Sequence, residues 1–162
     1  GILVGAGTSG TQIGGTQPFM GNSVLSNEGI GISITSSSGN AVLANRVEAN
    51  TGGGIVLNTV RNSRIGSLGG GGNTVLENGV NGIYVGGRSS GTSIVANSVT
   101  GSGSNGLLIN AATNLVVERI GRPATTAAMG NCSRTKVVRN TLRENTAGAI
   151  NLSLSTGITY VP

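Results

Sequence analysis

The chain has 162 residues and a net charge of +5, and glycine (30 residues) together with serine, asparagine and threonine fills just over half of it. Glycine and asparagine weaken helices and the good helix formers are thinly spread, so the composition argues against a helical fold. Valine, isoleucine, leucine and phenylalanine still supply about a quarter of the residues, above the ~20% below which polar chains fail to collapse, so disorder is excluded and the core must be built from small repeated units.

Read from the N-terminus, a glycine followed by an apolar triplet marks the start of each turn. It occurs at Gly1, Gly31, Gly54, Gly82 and Gly106, with a looser version at Gly148. The segment GNSVLSNEGIGI at 21–32 recurs as GNTVLENGVNGI at 72–83, identical at seven of twelve positions, and residues 40–57 match 92–109 at nearly the same offset. A large repeat of about 52 residues therefore contains two smaller turns. Within the turns an aliphatic residue stands three places before an asparagine: Val24 and Asn27, Val42 and Asn45, Val47 and Asn50, Val75 and Asn78, Ile94 and Asn97, Val137 and Asn140, Leu142 and Asn145. This spacing predicts a short strand ending at a sharp corner, with asparagine taking the left-handed backbone conformation and its amide bonding along a stack of identical neighbours. One turn then reads as a strand at 31–34, a loop to Asn40, a strand at 41–44, a corner at Asn45, a strand at 46–49 and a glycine-rich return at 50–53.

A single turn of this kind cannot bury its apolar side, whereas stacked turns pile the aliphatic positions into one column and pair every backbone group with the turn above and below. The expected fold is all-β: a parallel β-helix, a solenoid of six or seven rungs with three short strands each, forming one domain over 1–162 and roughly 30 Å long at a strand spacing of about 4.8 Å. A β-sandwich also has many short strands, but it needs no long internal repeat. After Ile13, Ile65 and Ile120 comes a glycine and then an irregular stretch returning through Gly–Asn at 21–22, 72–73 and 130–131. These three loops are expected at one corner of every second rung, about 9.6 Å apart. The interval 106–148 fits either one rung with a large excursion or two rungs, with Thr126 to Met129 as a degraded first strand.

The recurring IGG, GN-x-V-x-x-N and GI-x-I segments resemble the right-handed parallel β-helix repeats of bacterial secreted and cell-surface proteins, in the pectin-lyase-like superfamily. The resemblance covers nearly the whole chain. It implies a right-handed coil, an extracellular or cell-surface location, and a group that mixes polysaccharide lyases, hydrolases and epimerases with adhesins and structural rods. The enzymes of that group rely on acidic residues: calcium-holding aspartates, aspartate clusters or pairs, or aspartate with histidine. This chain has neither aspartate nor histidine, so none of those sites maps onto it.

The remaining chemistry is sparse. The five glutamates form no sequence cluster suited to calcium or another metal, and only Glu77 and Glu144 share a phase of the repeat, just before a corner asparagine. Cys132 is a lone thiol with no histidine to activate it, and the glycine-rich stretch at 67–74 lacks the lysine and helix of a phosphate loop. No metal or cofactor is expected. Arg119, Arg122, Arg134, Lys136, Arg139 and Arg143 place six of the ten basic residues within 25 positions. They suit an acidic polysaccharide or a neighbouring chain, and equally the protection of exposed strand edges. Nucleic acid is disfavoured because Phe19, Tyr84 and Tyr160 are the only aromatics. No apolar run suggests membrane insertion; the first residues lack the basic flank and cleavage signature of a signal peptide and read as the middle of a repeat, which leaves room for an export signal upstream.

Neither end reads as a polar cap, so the open ends are expected to meet flanking rungs of a longer solenoid or neighbouring copies in a filament. The sequence thus points to a non-enzymatic extracellular structural or adhesive β-helix. The alternative is the scaffold of a polysaccharide-active enzyme whose catalytic residues lie outside this segment.

Overall fold

The computed structural model describes residues 1–17, 19–118, 127–130, 132–134, 136–138, 150–153 and 159–161. The chain winds as a coil whose successive levels stack through parallel strands. Level one holds β1 (Ile2–Val4), β2 (Gln12–Gly14) and β3 (Ser23–Leu25), and level two holds β4 (Ile32–Thr35), β5 (Ala41–Leu43) and β6 (Arg46–Glu48). Level three holds β7 (Ile55–Asn58), β8 (Arg64–Ile65) and β9 (Thr74–Leu76), and level four holds β10 (Ile83–Gly86), β11 (Ser93–Val95) and β12 (Ser98–Thr100). The last three levels each contribute a pair of strands: β13 (Leu107–Asn110) with β14 (Val116–Glu118), β15 (Ala127–Gly130) with β16 (Lys136–Val138), and β17 (Ile150–Ser153) with β18 (Thr159–Val161).

The strands assemble into three parallel sheets. Sheet one runs β1-β4-β7-β10-β13-β15-β17, sheet two runs β2-β5-β8-β11-β14-β16-β18, and sheet three is the four-stranded β3-β6-β9-β12. The pattern of three strands per rung therefore holds over about four turns, and among the described residues the later levels carry strands on sheets one and two. Position β15, paired between β13 and β17, shows that the interval 106–148 spans two rungs. It also corrects the expected third corner loop, because residues 127–130 of that stretch belong to the first strand of a new rung.

Register explains the core. In sheet one Ile2, Ile32, Ile55, Ile83 and Leu107 lie over one another, as do Val4, Ile34, Leu57, Val85 and Ile109. Sheet two stacks Ile13, Val42, Ile65, Ile94 and Val117, and sheet three stacks Val24, Val47, Val75 and Val99. Apart from half-buried Ile2, all of these are buried in one continuous cluster. Each such side chain contributes about 1.5–3 kcal/mol when removed from water. Branched aliphatics suit this column because they fill a narrow pleated interior with few rotamers to lose.

The glycine that opens each turn has a steric reason. A methyl group at Gly54 would lie 2.6 Å from the Gly82 carbonyl oxygen, 2.6 Å from Val75 Cγ1 and 2.8 Å from Asn78 Nδ2. The backbone here passes between the next level and the inner face of sheet three, so no side chain fits.

The corner asparagines are placed as expected, but their conformation is not. The left-handed residue is the one before each asparagine: Ser26, Ala44, Ala49, Glu77 and Ala96, with φ between 50° and 57°. The asparagines themselves use their amides as both donor and acceptor. Nδ2 of Asn22 donates to Oδ1 of Asn45 (2.9 Å), Asn45 donates to Asn73 (3.0 Å), and Asn73 donates to Asn97 (2.8 Å). Each receiving Oδ1 also accepts the backbone N–H of the residue above it, and the second Nδ2 proton reaches a carbonyl of the neighbouring level, at Ile13, Val42 or Ile65. A second ladder joins Asn27 to Asn50 (2.7 Å) and Asn50 to Asn78 (2.9 Å). At the following level that phase is occupied by Ser102, whose hydroxyl is buried without a partner. These ladders satisfy polar groups that the sharp corners would otherwise strand in the interior.

Candidate functional site

Two corner loops leave the coil on the same flank, between sheets two and three. They run from Gly14 to Gly21 on level one and from Gly66 to Gly72 on level three, and each begins at a glycine with φ of 77° or 75°. At Gly66 a methyl group would stand 2.1 Å from the Val95 carbonyl oxygen, so the loop can depart only through glycine. The Gly71 carbonyl accepts the Ala44 N–H (3.0 Å), which fastens the second loop to the corner of level two. Phe19, Met20 and Leu68 are exposed on these loops.

The six basic residues singled out from the sequence are only partly placed. Arg119, Arg122, Arg139 and Arg143 lie outside the described residues. Arg134 and Lys136 are both exposed on level six, Arg134 at φ 52° in the corner between sheets one and two and Lys136 at the start of β16. The coil brings to this same corner three arginines that are distant in sequence. A column of bridges runs Ser9, Ser38, Arg61, Ser90, Thr113 and Ser133 along it. Beside it, the first residues of the sheet-two strands stack as Gln12, Ala41, Arg64, Ser93, Val116 and Lys136. Arg61, Arg64 and Arg88, which precedes Ser89 in the same corner, are exposed. Sequence proximity had grouped basic residues along the chain, whereas their phase within the turn is what groups them in space.

The acids are elsewhere. Glu28 and Glu77 follow sheet three at its outgoing corner, Glu118 ends β14 at the far edge of sheet two, and Glu48 on β6 accepts from Arg46 Nε (2.6 Å) in an ion pair. Glu144, the phase partner of Glu77, lies outside the described residues. Among the described residues no group of three or more His, Cys, Asp or Glu side chains is placed to hold a metal. Cys132 is buried, with Sγ 3.2 Å from the Gly130 carbonyl oxygen, and burial pushes its thiol pKa up. A thiol held in that state is a packing group and a poor nucleophile.

Against the basic corner lies a concavity of about 350 Å³ lined by Thr8, Ser9, Ser36, Ser38, Thr59 and Arg61 among others. A smaller recess of about 310 Å³ opens on the level-one edge, where Ile2, Val24 and Leu25 meet Asn22 and Asn27. Among the described residues no helix is long and apolar enough to cross a membrane.

Comparison with solved structures finds similarity to a crystal structure of a point mutant of the periplasmic alginate epimerase AlgG, with 16% identity and a TM-score of 0.54. The match covers 95% of this chain and 45% of that one, so this chain spans less than half the length of the epimerase, and what is shared is the fold. No curated protein sequence matches the chain. Residues 6–99, more than half of the chain, match the family described as the right handed beta helix region. With its parallel coil and register-matched core, the chain belongs to the right-handed β-helix family.

Proposed function

We propose that this chain is a structural or adhesive β-helix outside the cytoplasm, with no catalytic centre of its own. The observation that carries the reading is how its polar groups are used. Seven asparagines are committed to ladders inside the corners, Glu48 is committed to Arg46, and Cys132 is buried. The outward column of sheet one, meanwhile, is Leu3, Ser33, Val56, Tyr84 and Leu108, mostly apolar side chains suited to contact, with the Tyr84 phenol as the one ionisable group and no carboxylate or imidazole beside it in the column. The periplasmic location of the structurally similar epimerase supports an extra-cytoplasmic setting. In this reading the open edge of β1, β2 and β3 takes a further rung or a neighbouring copy, because Asn22 and Asn27 and the strands beside them repeat the template by which each level receives the one before it.

A second reading has one observation in its favour. The alignment with the epimerase spans nearly this whole chain, so the coil also fits a scaffold portion of a polysaccharide-active enzyme, with its reactive residues elsewhere. Incubating the intact protein with polygalacturonate and with alginate, and following chain cleavage, unsaturated ends and epimer ratio, separates the two. No turnover is expected. Turnover lost on substituting Glu28, Glu48, Glu77, Glu118 or Glu144 by glutamine would overturn the non-catalytic reading.

A further inference from the structure

We propose that the corner between sheets one and two is a binding flank for an anionic polysaccharide, a linear chain of carboxylated or sulfated sugars lying along the coil axis. This rests on the adhesive reading above and gives it a surface. Arg61 and Arg64 stand on level three, Arg88 on level four, and Arg134 and Lys136 on level six, all exposed at one corner: Arg61, Arg64 and Lys136 within its two adjacent columns, and Arg88 and Arg134 within two residues of the bridge column. From level three to level six is three strand spacings, about 14 Å, the reach of a few sugar units. Among the described residues the ion pair is Arg46 with Glu48, on sheet three, and no carboxylate pairs with any of these five cations.

The segregation is the argument. Five of the six described basic residues share one corner, whereas Glu28, Glu48 and Glu77 lie on or just beyond sheet three and Glu118 at the opposite edge of sheet two. Arginines spread only for solubility would be interleaved with acids. Guanidinium groups bind carboxylate and sulfate through paired N–H donors, which selects anionic groups over neutral sugars. Beside the cations the corner presents hydroxyls at Ser38, Ser90, Thr113 and Ser133, on levels two, four, five and six, and the concavity beside Arg61 is lined by further serines and threonines. Hydroxyl side chains match the hydroxyls of a sugar ring. No aromatic side chain lines this concavity to stack on a nucleobase.

The test is binding of the intact protein to heparin (sulfate), polygalacturonate (carboxylate) and single-stranded DNA of equal charge, by calorimetry at low and physiological salt. The triple variant Arg61→Ala, Arg64→Ala, Arg88→Ala is compared with the sheet-three control Arg46→Ala, each first checked for native far-UV circular dichroism. The expected result is binding to heparin or polygalacturonate that weakens at least ~10-fold in the triple variant and less than ~2-fold in the control, and that falls as salt screens the charges. Whichever of the two glycans binds identifies sulfate or carboxylate as the recognised group. Binding to neither glycan, equal binding to DNA, or equal loss in both variants would overturn the proposal. Degradation of a bound glycan would instead overturn the non-catalytic reading and leave the binding flank standing.

Discussion

The asparagine ladders make a quantitative prediction at Asn45, which is 1% exposed. Its side chain takes part in four hydrogen bonds: Oδ1 accepts from Asn22 N (3.0 Å) and Asn22 Nδ2 (2.9 Å), and Nδ2 donates to the Ile13 carbonyl (3.0 Å) and to Asn73 Oδ1 (3.0 Å). At about 1 kcal/mol net for each bond, discounted for the partly exposed Asn22 side, Asn45→Ala should cost about 2–4 kcal/mol. Asn45→Asp probes the donor half alone. A carboxylate keeps the two acceptor contacts but directs negative charge at two oxygens that have lost their donor, in a buried site. Its folded-state pKa must therefore rise above the ordinary ~3.9, so the protonated form favours the folded state. The deficit relative to the native chain is smallest below that ordinary value and grows as pH rises through the folded value. Urea melts followed by far-UV circular dichroism at pH 3 and pH 7 check this, with the native chain measured at each pH. At pH 7 Asn45→Asp should be less stable than Asn45→Ala; at pH 3 the order should reverse, because a neutral carboxyl can donate one bond and accept another. An aspartate deficit that does not change with pH, or an alanine cost below ~0.5 kcal/mol, would refute the claim that the ladder needs an amide for its dual capacity. The same requirement gives a reason for the ladder positions to hold asparagine where aspartate would be similar in size.

Further outcomes follow from other positions. Ser102→Asn should extend the second ladder by one level and raise stability by about 1 kcal/mol in the same melts, since it replaces a buried hydroxyl without a partner. Gly54→Ala should lower stability by about 1–3 kcal/mol through overpacking, whereas Gly5→Ala, where a methyl group meets nothing within 4 Å, should be neutral. Cys132 should alkylate with iodoacetamide at least ~10-fold more slowly than an exposed thiol at pH 8. Because its pKa is raised in the fold, the stability it contributes is intact below the ordinary thiol range near ~8.5 and is lost as pH rises through the folded value, so Cys132→Ala should flatten that alkaline limb in melts between pH 8 and 10. Arg134→Gly should gain a few tenths of a kcal/mol or more by relieving a left-handed backbone that Gly10, Gly39 and Gly91 fill at the same phase of other levels.

By itself the sequence determined the coil. A glycine, an aliphatic strand and an asparagine recurring at matched phase can bury their apolar side only by stacking in register, and Val24, Val47, Val75 and Val99 do so in the order the repeat dictates. The strands at 32–35, 41–43 and 46–48 fall within a residue of where that pattern put them. Three things were decided only by tertiary structure. The left-handed bend moved to Ala44 and its equivalents, because Asn45 is occupied by bonds to the levels on either side and the residue before it is free to absorb the turn. Residues 127–130 became a strand although alanine has little preference for one, because β13 and β17 leave a backbone ladder between them that must be filled. Arg61, Arg64, Arg88, Arg134 and Lys136 became one flank because proximity in a solenoid is set by phase around the turn, and the number of residues in each loop, which fixes that phase, is read only once the rungs are paired.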